Sequence, residues 1–232
     1  MRLIVTKKMT YLFKYPLTIL MLFYPFLSSG QTLPRKVDRN DQILHYNGYI
    51  VSYNESHEQA NWVFYTLNKD SFNCDIRAVR KNNFSTDYDF LTTSSYLVDY
   101  KNSGYDRGHL KPAMSEPCNQ DKLDETFNMV NISPQAPSFN RGVWKKLENH
   151  VKRLVNTCDS IHVYTGGILS YDLKKIGDVS IPEQFFKIIY VFKSGLLHRI
   201  SYIIPNEKSD EDIDYYEVPF EFLEKMVGFD FP

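Results

Sequence analysis

The stretch "FFKIIYVFKSGLLHRISYIIP", Phe185 to Pro205, constrains the fold more than any other part of the chain. Two runs rich in β-branched and aromatic residues flank Ser194 and Gly195, a pair suited to a tight turn, and that pattern reads as an antiparallel hairpin. "GYIVSYN", "NWVFYTLN", "CDIRAVR" and "SIHVYTGGIL" repeat the strand signal upstream, with polar turns between them. The expected core is therefore an antiparallel sheet, either one extended sheet or two neighbours. Seventeen tyrosines and sixteen phenylalanines suit strands and oppose disorder over most of the chain.

Between the strand groups, "FNRGVWKKLENHVKRLVNTC" carries Trp144, Leu147, Val151, Leu154 and Val155 at the spacing of a helix packed on one face. It reads as one long central helix. "PFEFLEKMVGFDFP" reads as a shorter helix that starts at Pro219 and stops at Gly228. No linker-like segment divides the rest of the chain. The predicted fold class is α+β: a single mixed α/β domain over residues 31–232 with a central antiparallel sheet, entered through a flexible polar lead-in, "QTLPRKVDRNDQ".

Residues 1–30 have another character. Lys7, Lys8 and Lys14 precede an apolar run from Leu17 to Leu27, and small residues from Ser28 to Gly30 follow. That is the layout of a secretory signal peptide cleaved after Gly30, with Met9 as an alternative start. The run is short of the roughly 20 residues a span needs, and Pro25 interrupts it, so the expected product is secreted or periplasmic without stable membrane association. An uncleaved anchor or a buried N-terminal helix is the other reading. Export permits disulfides, and Cys74, Cys118 and Cys158 allow one bridge with one thiol over. Cys118 and Cys158 flank the most informative region, yet spacing decides no pairing. None sits in a C-x-x-C pair, which leaves zinc-ribbon and thioredoxin readings without support.

The net charge of −1 conceals an asymmetry: Lys101 to Arg153 holds nine Lys/Arg against six Asp/Glu, whereas Ser201 onward holds two against nine. A basic middle suits a polyanion, although two solvated faces would give the same count. In that middle lies "GYDRGHLKPA", with His109 in a glycine-punctuated turn. Downstream come Asn131 in "NISPQ", then Asn140 and Glu148 in the central helix. At 100° per residue, Asn140, Trp144, Leu147, Glu148 and Val151 share an arc of about 100°, which sets an amide and a carboxylate on the apolar side. Burying a carboxylate is costly unless it meets a cation or several donors. The bland alternative is an ion pair of Glu148 with Lys152 one turn on.

"DRGHLKPA", "NISPQ", "FNRGVWKKLE", "VYTGGIL" and "FLEKMVGFDF", in that order, resemble the DNA/RNA non-specific endonucleases, the ββα-metal or His-Me finger nucleases. The resemblance runs from about Tyr49 to the C-terminus. It implies that His109 is the general base for the water attacking a phosphodiester, and that Asn140 is the direct protein ligand of one hydrated divalent ion, Mg²⁺ first and Mn²⁺ second. Glu148 would accept hydrogen bonds from the ion's water. Asn131 would position groups beside the histidine, although "NIS" is also a glycosylation sequon. Arg80, with Arg77 close by, matches the arginine that stabilises the transition state. Arg107 would contact phosphate with Asp106 anchored behind it, and a surface ion pair is the plain alternative for both. Arg141, Lys145, Lys146, Lys152 and Arg153 could grip the backbone of the nucleic acid.

The implied activity is an exported endonuclease acting on DNA and RNA with little sequence preference, leaving 5′-phosphate ends. A homodimer is among the assemblies the resemblance implies. Two rivals stand beside it: a non-catalytic nucleic-acid or partner-binding module of the same fold, and a phosphodiesterase for small nucleotides.

Overall fold

The computed structural model describes residues 33–35, 41–87 and 94–232, and the chain from Pro34 to Pro232 is one compact unit. The expected signal peptide lies outside the described residues. Among the described residues no helix is long and apolar enough to cross a membrane.

One six-stranded antiparallel sheet dominates. Its strands are β1 (Gln42–His45), β2 (Ile50–Asn54), β3 (Gln59–Leu67), β6 (Ser160–Gly167), β9 (Gln184–Lys193) and β10 (Leu196–Pro205), in the spatial order β1-β2-β3-β6-β9-β10. The 185–205 hairpin forms as its sequence predicts. Ser194 (φ 52°) and Gly195 (φ 77°) both take left-handed values at the turn, and Leu196 pairs with Lys193.

Period-two alternation gives the sheet two apolar faces. On one face, Val63, Tyr65 and Leu67 of β3, Val163 of β6 and Phe185 and Ile189 of β9 pack in one cluster with Trp144, Leu147, Val151 and Val155. Those last residues belong to the central helix, α4 (Lys145–Val155), and its entry turn. On the other face, Phe231 meets Tyr164 at 5.2 Å and Phe186 at 5.8 Å, and the Tyr190 hydroxyl donates to the Pro232 carbonyl at 2.6 Å. The chain's last residues thus cover what would otherwise be exposed aromatic surface. Each side chain fully buried in this way contributes about 1.5–3 kcal/mol of transfer free energy.

Three short helices, α1 (Leu97–Tyr100), α2 (Gln120–Glu125) and α3 (Pro137–Phe139), surround a two-stranded ribbon of β4 (Asp106–His109) and β5 (Ile132–Gln135). A second small ribbon pairs β7 (Lys175–Ile176) with β8 (Val179–Ser180). The C-terminal helix α5 (Phe220–Val227) begins after Pro219 and ends at Gly228, whose φ of 76° suits a residue without a Cβ.

Three expectations are corrected. "CDIRAVR" is no strand: Ile76 is 85% and Val79 65% exposed, so their alternation buries nothing. That segment is held instead by a Cys74–Cys118 disulfide, by Ala78 N–H donating to the Pro117 carbonyl, and by Gln120 bonding both backbone groups of Val79. Cys118 therefore pairs with Cys74, and Cys158 is free and buried. The central helix is also not regular from Asn140. Residues Asn140–Trp144 form a wide π-type turn in which Gly142 (φ −100°, ψ −113°) leaves helical values, and the α-helix proper starts at Lys145. The lead-in is ordered at Arg35, which pairs antiparallel with Asp230 through two 3.0 Å backbone bonds.

Candidate active site

The site grows from the β4–β5 ribbon and the helix that follows it, a ββα unit. Antiparallel pairing sets Asp106 opposite Gln135, Gly108 opposite Ser133 and His109 opposite Ile132. The fully buried Gln135 side chain lies flat on Gly108. A Cβ at position 108 would stand 2.1 Å from Gln135 Oε1, so only glycine lets the ribbon close there.

Asn131 fixes where the strand goes after His109. Its side chain is fully buried; Oδ1 accepts from Lys111 N–H at 2.8 Å, and Nδ2 donates to the carbonyls of Lys111 (2.9 Å) and Thr126 (2.8 Å). Its backbone carbonyl accepts from Leu110 N–H at 2.9 Å. An amide so engaged holds the turn behind the imidazole, and in the folded chain it is closed to glycosylation.

His109 sits between two rings drawn from separate segments: Phe127 edge-on at 4.8 Å and Phe84 at 5.5 Å. Nε2 is buried with no hydrogen-bond partner among the described residues. Burial first, then the positive fields of Arg80 and Arg107, push the imidazole down to about 3, so it is neutral at ordinary pH. The Arg107 guanidinium lies over Phe84 at 4.1 Å, and that of Arg80 over Phe127 at 5.2 Å. Each arginine thus rests on one of the rings that flank the histidine. Arg80 also donates to Asn82 Oδ1 at 2.7 Å.

Asp106 joins the ribbon to the helix. Its Oδ2 accepts from Asn140 Nδ2 at 2.9 Å and from Arg141 Nε at 2.9 Å, while Oδ1 accepts from Arg141 Nη2 at 2.6 Å. Burial opposes ionisation of Asp106, but the bonds from Arg141 and Asn140 outweigh it and hold the carboxyl below its usual range. The partner of Asp106 is therefore Arg141 and not its neighbour Arg107, and Arg141 is occupied here rather than free for a phosphate. With Nδ2 committed to Asp106, Asn140 keeps its Oδ1 as an acceptor without a protein donor among the described residues. Asn140, Asp106 and Arg107 line one cleft of about 470 Å³ together with Phe84, Leu97, Tyr100, Lys101 and Tyr105.

Glu148 lies on α4 one turn beyond Trp144, and a crevice of Tyr65, Leu67, Phe72, Pro112, Met114, Ser115, Val151 and Lys152 surrounds it. Burial raises its carboxyl above the usual range, against the pull of Lys187, Arg80 and Lys145. The positive charge of Arg80 lowers the proton affinity of both His109 and Glu148. The Glu148–Lys152 ion pair does not form; Lys152 points over the Phe72 ring at 5.8 Å.

No group of three or more His, Cys, Asp or Glu side chains that could hold a metal ion occurs among the described residues. A cation at the cleft would therefore take little from the protein beyond the Asn140 oxygen. One oriented carboxamide oxygen, with water completing the shell, suits a hard ion such as Mg²⁺ that gives up its hydration reluctantly. The residues fit such an ion.

Sequence reading named Arg80, Asp106, Arg107, His109, Asn131, Asn140 and Glu148 as candidates. It missed Phe84, Phe127 and Lys187, the pairing of Arg141 with Asp106, and also Asn206, whose side chain accepts from Ala136 N–H at 2.8 Å and donates to the carbonyls of Pro134 (3.1 Å) and Pro182 (2.9 Å). Asn206 thereby holds the corner between β5 and α3. Only Lys187 had a legible signal, a charge in the inward phase of an apolar strand.

A ββα ribbon-and-helix mounted on an antiparallel sheet defines the class of fold. A chain of the crystal structure of an EndoG/EndoGI complex superposes with a TM-score of 0.76 at 32% identity, covering 82% of this chain and 85% of that one. A nuclease of Nostoc sp. is 32% identical over 217 residues, 88% of this chain and 77% of its own length. Bovine mitochondrial endonuclease G is 28% identical over 195 residues, 78% of this chain and 65% of its own. The DNA/RNA non-specific endonuclease family matches residues 30–232, and the chain belongs to that family.

Proposed function

We propose that the protein is an exported, metal-dependent endonuclease that hydrolyses DNA and RNA with little base preference, with His109 as general base. The observation that carries this reading is the Asp106–Asn140 bond. It leaves a carboxamide oxygen facing the cleft that Arg107 also lines, three residues along β4 from a neutral imidazole.

A bound Mg²⁺ would neutralise charge building on the phosphate and on the leaving 3′ oxygen. The chain's own groups do the rest. Asn140, oriented by Asp106, would hold the ion through Oδ1. Arg107 docks the phosphate, and Arg80 stabilises the extra charge of the transition state. His109 takes the proton of the attacking water. A substrate anion against Arg80 and Arg107 would cancel the fields that suppress the imidazole, so its basicity rises when there is a bond to cleave. Glu148 would accept hydrogen bonds from the ion's water, and Asn131 keeps the turn behind His109 in place. The Cys74–Cys118 disulfide supports maturation in an oxidising compartment.

The test compares wild type with His109→Ala on plasmid DNA and on RNA, each with Mg²⁺ and with EDTA. Cleavage confined to the wild type with Mg²⁺ is expected. Equal cleavage by both proteins, or full activity in EDTA, would overturn the mechanism.

A further inference from the structure

Lys111 follows His109 by two residues, yet its side chain does not reach water: it is fully buried, and Glu116 keeps only 8% of its surface exposed. The ammonium donates to Glu116 Oε1 and, at 2.7 Å, to the Gly48 carbonyl. It also lies over the rings of Tyr49 at 5.5 Å and Tyr65 at 5.8 Å. Gly48, in the turn between β1 and β2, permits this close approach, since a Cβ there would stand 2.5 Å from Lys111 Nζ. The backbone of Lys111 is held as well, because the Asn131 amide bonds both its N–H and its carbonyl.

Between the two charges the chain makes one tight turn. Ser115 N–H and Oγ both donate to the Pro112 carbonyl, at 2.9 Å and 2.7 Å, and Glu116 N–H donates to that of Ala113 at 3.2 Å. The ion pair closes residues 111–116 into a loop fastened to the sheet, and three parts of the site hang from it. His109 enters it from β4. Pro112, Met114 and Ser115 line the crevice around Glu148, and Tyr65 is a wall common to that crevice and to the ammonium. The residues that leave the loop hold the segment that carries Arg80: the Pro117 carbonyl accepts from Ala78 N–H at 2.8 Å, and Cys118 is bonded to Cys74.

We infer that Lys111 and Glu116 are positioning residues of the nuclease site: their buried ion pair, anchored on the Gly48 carbonyl, makes the 111–116 loop a fixed spacer between His109, Glu148 and the Arg80 segment. The inference rests on the function proposed above. Apolar residues of similar volume stabilise a core as well as a buried ion pair does, or better. What they lack is direction: apolar contact follows area, whereas a charged hydrogen bond fixes where its two ends lie. A misplacement of about 1 Å among reacting groups is enough to cost about 100-fold in rate.

The experiment compares wild type, Lys111→Met, the double variant Lys111→Met/Glu116→Leu, and Gly48→Ala, all in the full chain. Three quantities are read: the melting temperature, kcat and KM on plasmid DNA with Mg²⁺, and the NMR signal of the His109 ring proton, identified by its loss in His109→Ala. Lys111→Met strands a buried carboxylate and should lower the melting temperature by about 10 °C. The double variant should regain most of that loss, while kcat stays about 10–100-fold below wild type and KM moves less than about 2-fold. The His109 signal should shift with it, because the flanking Phe127 and Phe84 rings make that proton sensitive to small displacements. Gly48→Ala pushes on Lys111 Nζ without altering either charge, and it decides the matter if the double variant does not regain its stability. There too kcat should fall at unchanged KM, and the His109 signal should move. A double variant that regains kcat along with its melting temperature, or a Gly48→Ala chain with wild-type kcat and an unmoved His109 signal, would make the pair a core contact only and overturn the inference. A wild type that cuts neither DNA nor RNA, with a His109 signal that still answers to the pair, overturns the underlying function instead.

Discussion

Asp106 Oδ2 accepts a hydrogen bond from Asn140 Nδ2 at 2.9 Å across 34 residues of chain, and so decides which end of the Asn140 amide faces the cleft. An amide without that acceptor is free to turn over and offer its NH₂ where an oxygen is needed. Asp106→Ala should therefore raise the Mg²⁺ concentration for half-maximal cleavage about 10–100-fold while leaving far-ultraviolet circular dichroism unchanged. A metal titration of both proteins checks it, and an unshifted midpoint would remove Asp106 from the metal site.

The contact between Gly108 and Gln135 gives a prediction about folding. Gly108→Ala forces a methyl group against Gln135 Oε1, an overpacking expected to cost about 1–3 kcal/mol in urea denaturation. Gln135→Ala in the same chain opens the space. The double variant should then recover most of the loss, whereas simple addition of the two costs would refute the steric account.

His109 makes the fold acid-sensitive. Its folded pKa of about 3 lies below the ordinary 6.5, so between those values the unfolded chain binds the extra proton and stability falls as pH falls. At full effect the slope is about 1.4 kcal/mol per pH unit. His109→Asn removes this term. Paired melting curves from pH 7 to pH 4 should show the variant gaining on the wild type below pH 6.5, and parallel curves would contradict the burial of the imidazole.

Reduction of the Cys74–Cys118 bridge should loosen the segment that carries Arg80. The bridge spans 44 residues, and its loss is expected to cost about 2–4 kcal/mol. Dithiothreitol should lower both the melting temperature and the cleavage rate, and Cys74→Ser should be insensitive to the reagent. Buried Cys158 should stay unlabelled by iodoacetamide in the native, oxidised protein.

Arg107 is exposed and lines the cleft, stacked on Phe84 and without a carboxylate partner among the described residues. As a phosphate contact it should carry close to one unit of the slope of log binding constant against log salt. Arg107→Ala, assayed with an inactive His109→Ala chain, should flatten that slope by about 1. An unchanged slope would leave Arg107 as a partner of Phe84 alone.

The sheet could be read in advance because its instructions are local. In the 185–205 hairpin, alternation, β-branching and a two-residue turn all point the same way, and Pro219 and Gly228 mark the last helix just as plainly. "CDIRAVR" has the same composition without a buried face, and its path is set by a disulfide and by Gln120 some forty residues away, 41 from Val79. The candidate site residues were legible as a set through their order along the chain. Their partners were not: Phe84 and Phe127 reach His109 from separate segments, and Arg141 displaces Arg107 beside Asp106. Lys187 was visible as a charge out of phase, but nothing local tells which side chain across the core it faces.

The wide turn at Asn140–Trp144 makes this site sensitive to chain length as well as to residue identity. A single deletion there would let the segment relax into a continuous α-helix, and each residue removed rotates what precedes it by about 100° around the axis. Asn140 would swing away from Asp106 while Glu148 stayed where the core holds it. Every side chain of the site could then be present, correctly folded on its own element, and the site would still be out of register.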